Sequence, residues 1–144
     1  MRAATLARFA LPFLLLLLVA ACASYQSRER AIQFEETLRT YRKAIRWSEF
    51  DAAYATVQTR EDDLELGEPD FEFLDAIRVT SYEITSQRIS PDETEIKVSA
   101  EIDFYHENSP TVRHLTDQQL WWYEPEEKRW FLSTGLPDFK RAMR

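Results

Sequence analysis

Three hydrophobic periods follow one another along the chain. From Ala10 to Ala21 the residues form an apolar run, preceded by Arg2 and Arg8 and ending in small side chains. As a helix, at ~1.5 Å per residue, that run spans about 18 Å, short of the ~30 Å hydrocarbon core of a bilayer. A basic start, an apolar middle and a small-residue end form the layout of an export signal that is later removed. From Arg28 the period becomes helical. Ala31, Phe34, Leu38, Tyr41 and Ile45 recur at alternating separations of three and four residues, which lines one helix face and predicts a core stripe. Glu35, Glu36, Arg39, Arg42, Lys43 and Arg46 fill the rest of that helix. Ser48-Glu49-Phe50-Asp51 predicts an N-cap with a short acidic side chain three residues on, opening a second helix through Ala52, Ala53, Tyr54 and Val57. Residues 60–70 set Gly67 and Pro69 among acids, the composition of a loop or short helical turn. Phe71 and Phe73 are expected to dock inward.

The second half changes to period two. Ile77 and Val79 alternate with Arg78 and Thr80, and the run to Ile89 predicts a strand with a bulge near Ser81 and Tyr82. Ser90-Pro91-Asp92-Glu93 is turn chemistry. Ile96, Val98, Ala100, Ile102, Phe104 and His106 then alternate with Glu95, Lys97, Ser99, Glu101, Asp103 and Tyr105, so one face is core and the other wet. Glu107 to Pro110 turns the chain into a third strand, Thr111 to Tyr123, and Glu124 to Arg129 turns it into a fourth at Trp130 to Thr134. Helices followed by an antiparallel meander predict an α+β roll, with the N-terminal helices packed on the antiparallel sheet.

Composition narrows the chemistry. Only 2 glycines, Gly67 and Gly135, are present among 144 residues, too few for a Gly-rich phosphate loop or a dinucleotide fingerprint. One cysteine excludes an internal disulfide and a multi-cysteine zinc site, and His106 and His114 are the 2 histidines. No metal and no cofactor are expected. The net charge of −7 opposes binding to nucleic acid, whose phosphates need clustered cations. Removing the first 21 residues takes Arg2 and Arg8 with them and leaves the remainder more acidic still.

Val19-Ala20-Ala21-Cys22 resembles the lipobox of bacterial lipoproteins. That resemblance implies cleavage before Cys22, lipidation of its thiol and acylation of the new amine. Two or more acyl chains anchor stably where one does not, so the membrane is the first expected partner. Ala23 stands where an inner-membrane retention signal would carry Asp, which implies the outer membrane, facing the periplasm. The expected organisation is a cleaved signal at 1–21, a lipidated cysteine and tether at 22–27, one α+β domain at 28–139 and a basic tail at 140–144. Lys140, Arg141 and Arg144 make that tail either a solvated terminus or a contact for anionic headgroups.

The order of elements, with Tyr41 to Tyr54, Gln119 to Tyr123 and Arg129 to Leu132, resembles uncharacterised proteobacterial lipoproteins and, through them, the nuclear transport factor two-like (cystatin-like) cone fold. In that fold a curved sheet wraps a long helix, the cone mouth can hold a small molecule and the sheet's outer face often pairs subunits. The resemblance implies no single activity, because the fold hosts enzymes, carriers and scaffolds.

His106 ends the apolar face of its strand and is the candidate for catalysis, of the hydrolyase or isomerase type; Asp103 points the other way. A pairing of Phe104 with Arg113 would bring Arg113, Asp117 and Gln119 to the inner face, and one residue of slip would bring His114, Thr116 and Gln118 there instead. Arg113 with Asp117 is read as an exposed ion pair of little consequence. Adjacent Trp121 and Trp122 must face opposite sides of the sheet, one against the first helix and the other outside, where a homodimer, an envelope protein, the membrane surface or the segment Leu136 to Met143 would cover it. Ile102 and Phe104 mark the floor of a cone able to carry a small apolar ligand. The leading expectation is a non-catalytic binding or interaction module in the cell envelope, with the apolar carrier and the His106 enzyme as alternatives.

Overall fold

A computed structural model describes residues 3–60 and 65–144; residues 1–2 and 61–64, and the side chains up to residue 23, lie outside the described residues. The thiol of Cys22 is therefore outside them. In chain order the elements are α1 (Ala3–Arg46), α2 (Phe50–Tyr54), α3 (Phe71–Leu74), β1 (Ile77–Ile89), β2 (Glu95–His106), β3 (Ser109–Glu124), β4 (Arg129–Leu132) and α4 (Phe139–Ala142). They fall into two compact units, Met1–Gln33 and Phe34–Arg144.

In the first unit the backbone of 22–27, expected as a tether, is part of α1. Gln33 donates to Glu29 one turn earlier at 3.5 Å. Among the described residues, no helix is long and apolar enough to cross a membrane.

The second unit is α+β, its helices packed on a curved, unclosed antiparallel sheet of order β1-β2-β3-β4. Of the predicted stripe, Phe34, Leu38, Tyr41 and Ile45 are buried on α1 and Ala44 joins them, whereas Ala31 is exposed. The helix ends at a non-glycine residue in the left-handed region, Ser48 at φ 58°. There Ser48 N–H donates to the Ile45 carbonyl and Glu49 N–H to the Ala44 carbonyl, the paired bonds that close helix C-termini. Ser48 is thus spent on ending α1 and is not the N-cap of α2. Glu49 precedes α2 without a side-chain cap bond. The Ser48 hydroxyl instead accepts from Val79 N–H at 3.4 Å, tying the end of α1 to β1.

Strand β1 carries two register shifts, at Val79/Ser81 and at Ile84/Ser86. The first lies beside the expected bulge. The turn from β2 to β3 is tighter than its four-residue reading: a shift after Phe104 lets His106 pair with Ser109. The 140–144 tail is not a separate element. Its first residues build α4, capped by Asp138, whose carboxylate accepts from Arg141 N–H at 3.0 Å. Phe139 is buried there, and Lys140 reaches Asp70 at 2.5 Å with its ammonium over the Phe73 ring at 5.2 Å.

Candidate functional site

Register decides which polar groups enter the core. Phe104 pairs with Arg113, Ala100 with Asp117 and Val98 with Gln119, so Asp117 and Gln119 share the inner face and His114 does not. Gln119 is fully buried and every polar position of its amide is used. Its nitrogen donates to the Tyr82 hydroxyl at 2.7 Å and to Asp117 Oδ2 at 2.7 Å, while its oxygen accepts from Trp121 Nε1 at 3.0 Å. The Tyr41 hydroxyl, buried on α1, has no hydrogen-bond partner among the described residues.

The electrostatics follow from burial. Desolvation raises the Asp117 carboxyl from 3.8 to about 6, and the bond from Gln119 only partly opposes it. Burial pushes the Tyr41 and Tyr82 phenols well above their ordinary value, with the Asp117 charge adding to both. The Arg42 charge pulls the other way on Tyr82. The perturbed carboxyl of the inner face is therefore Asp117, which the sequence reading had placed in an exposed pair with Arg113. Its partner is Gln119.

His106 is held locally. Its Nδ1 accepts from Asn108 N–H at 3.1 Å, and its ring lies 5.4 Å from that of Phe73. The carboxylate–histidine pair among the described residues is Asp103 with His114, 2.8 Å apart on the outer face. No group of three or more His, Cys, Asp or Glu among the described residues is placed to hold a metal ion.

Ile102, Phe104 and Trp121 are fully buried, and Trp122 is 7% exposed. Trp121 faces α1 with its ring 5.2 Å from that of Tyr41 and 5.9 Å from Phe34, both edge to face. Trp122 faces outward as the alternation demands, but the chain covers it. Its indole nitrogen donates to the Gln58 carbonyl at 2.8 Å and its ring lies 5.6 Å from Phe131, while Arg60 and Glu95 close the same region at 2.5 Å. Neither a partner nor the Leu136 to Met143 segment is needed there. That segment lies on the other side, where Phe139 meets Phe104 at 4.8 Å and Phe50 at 5.5 Å. The space beneath Phe104, expected to be able to hold an apolar ligand, contains the Phe139 ring.

Concave surface lies elsewhere. A groove of about 470 Å³ runs between α1 and β1, with Leu38 and Ile84 among its walls and Arg39, Arg42, Lys43 and Arg46 along one side. A second, of about 300 Å³, shares Arg46 and Trp47 and continues past Val79 and Tyr105. Sequence reading missed these grooves. The signal was present as the spacing of Arg39, Arg42, Lys43 and Arg46, but a cationic stripe on an amphipathic helix is usually only its solvated face.

Against known proteins, neither a family model, nor a curated protein, nor a solved structure matches this chain.

Proposed function

We propose that the chain is an exported lipoprotein, held by acyl chains on Cys22 at the periplasmic side of the outer membrane. Its folded unit is a non-catalytic interaction module of the cell envelope. The lipobox-like Val19 to Cys22 supports the anchoring. The observation that carries the interaction part is the filled interior: Trp121, Tyr41, Phe34, Phe104 and Phe139 occupy the volume in which a carrier would hold its cargo. Recognition then belongs to the surface. The helix-on-curved-sheet order supports our placing of the domain in the nuclear transport factor two-like cone fold. The apolar-carrier reading is weakened by the Phe139 ring under Phe104, and no contact of His106 favours the enzyme reading.

The test is to express the full chain and its Cys22→Ala variant in a Gram-negative host supplied with an alkyne palmitate. Wild type is expected to be labelled, cut before Cys22 and recovered with outer membrane. The variant is expected to stay unlabelled and uncut. Normal processing of the variant would overturn the anchoring.

A further inference from the structure

From the groove between α1 and β1 we propose a binding site for an extended acidic peptide segment of a partner protein. The inference rests on the interaction-module reading and names its surface and ligand.

Arg39 lies three residues before Arg42 and four before Lys43, and Arg46 lies four and three residues after them, so the four exposed cations share one side of α1. Arg39, Arg42 and Lys43 make no ion pair among the described residues. Arg46 donates to the Val79 carbonyl at 2.7 Å, which keeps its charge uncompensated. The acid on the groove, Glu35, accepts from Gln87 at 3.2 Å, so it is directed at β1. A chain of net charge −7 thus gathers uncompensated positive charge on one concave surface. Such a surface steers and orders an anionic ligand.

The shape selects among anions. The four cations are strung over about 10 Å of helix at ~1.5 Å per residue, rather than converging on one point as for a single phosphate. Leu38 and Ile84 give the groove apolar walls, and Trp47, 69% exposed, stands where the two grooves meet. Charges spaced along the ligand, with an apolar side chain between them, match that arrangement. An extended peptide of roughly five residues, at ~3.3 Å each, covers the stripe and reaches the indole. The two bulges of β1 break the regular spacing of its edge, so recognition by charge and ring is favoured over addition of a strand. The acidity of the remaining chain opposes an anionic bilayer as the occupant.

The experiment uses the full chain purified from membranes and placed in phosphatidylcholine nanodiscs. A fluorescein-labelled ten-residue peptide of alternating Glu and Asp with one central Phe is titrated by polarisation, beside versions with Ser for Phe and with Gln and Asn for the acids. Binding is expected to weaken with salt and to vanish for the neutral peptide. The exposed triple variant Arg39→Ala, Arg42→Ala, Lys43→Ala is expected to bind at least about tenfold more weakly with an unchanged melting temperature, the cations being rim-exposed. Trp47→Ala is expected to weaken the Phe peptide several-fold and to leave the Ser peptide nearly unaffected. Equal binding by the triple variant would overturn the site. So would preference for phosphatidylglycerol vesicles, or full competition by millimolar inorganic phosphate. Mass spectrometry of the same sample reads acylation of Cys22. Acylated protein that ignores the peptide defeats only this site, and peptide binding by unacylated protein defeats only the anchoring.

Discussion

Gln119 and Asp117 stand two residues apart on the inner face of β3, and the Gln119 amide nitrogen donates to Asp117 Oδ2 at 2.7 Å. The same nitrogen serves the Tyr82 hydroxyl, so a half-buried carboxyl is joined to the middle of the core through one amide. Burial raises that carboxyl to about 6 from 3.8, more than the Gln119 bond can offset.

The sign of the pH dependence follows. A raised folded-state value means that the folded chain binds this proton more tightly than the unfolded chain does. The contribution of Asp117 is therefore most favourable below 3.8 and is lost as pH rises through about 6. A shift of about two units corresponds to at most about 3 kcal/mol at 1.36 per unit, and roughly half that for a carboxyl still partly solvated. Asp117→Asn is expected to raise the melting temperature at pH 8 and to change it little at pH 4. Asp92 works in the opposite sense. Bonds from Ser90 and Thr94 hold it near 2, so what it contributes is present above 3.8 and lost as pH falls through about 2. Melting curves of wild type and Asp117→Asn between pH 4 and 8 check the reading, and parallel profiles would contradict it.

The period-two alternation of β2 was fully legible, because one wet face and one core face leave a strand little freedom. Its bounds, Glu95–His106, are those that the sequence gives. The helical stripe on α1 was legible for the same reason. Register was not. Whether Asp117 or His114 turns inward depends on how the 107–108 turn closes, and the two extra residues of β3 between Ser109 and Arg113 that set it leave no periodic trace. Ser48 misled because a serine before acids looks like an N-cap, whereas here the end of α1 claims its backbone first. The cover over Trp122 comes from Gln58 and the chain beside it, a contact across 64 positions that local pattern cannot carry.

That cover changes what a tryptophan double variant would report. Trp121 makes two edge-to-face ring contacts and satisfies the Gln119 oxygen; Trp122 is 7% exposed and bonded to Gln58. Truncating a buried tryptophan costs roughly 3 to 5 kcal/mol. Trp121→Ala with Trp122→Ala is therefore expected to unfold the domain at 37 °C, seen as loss of near-ultraviolet circular dichroism. A double variant that stays folded would place one indole at the surface.

Ser48 offers a smaller test. A side chain in the left-handed region costs about 1 to 2 kcal/mol, more when branched at Cβ. Ser48→Val is expected to destabilise by roughly that amount and also removes the hydroxyl that accepts from Val79 N–H. Ser48→Gly relieves the backbone while losing the same acceptor, so its change is expected to stay within about 1 kcal/mol of zero. Urea unfolding of the three proteins orders them. Equal losses for Val and Gly would show that the hydroxyl, not the φ of 58°, dominates at this position.

The plug in the cone is the last testable element. Phe139 is 1% exposed and its ring lies between those of Phe104 and Phe50. It sits on α4, a single short turn held by Asp138 and by the Lys140–Asp70 pair. Phe139→Ala is expected to cost roughly 3 to 5 kcal/mol, transfer and cavity together. An apolar void of that kind stays dry and takes up small aromatics. The variant is thus expected to gain several degrees of melting temperature from saturating benzene, and wild type to gain none. Stabilisation of wild type by benzene would show that α4 swings aside and would return the apolar carrier to the front. An unresponsive variant would mean that the walls collapse onto the vacancy.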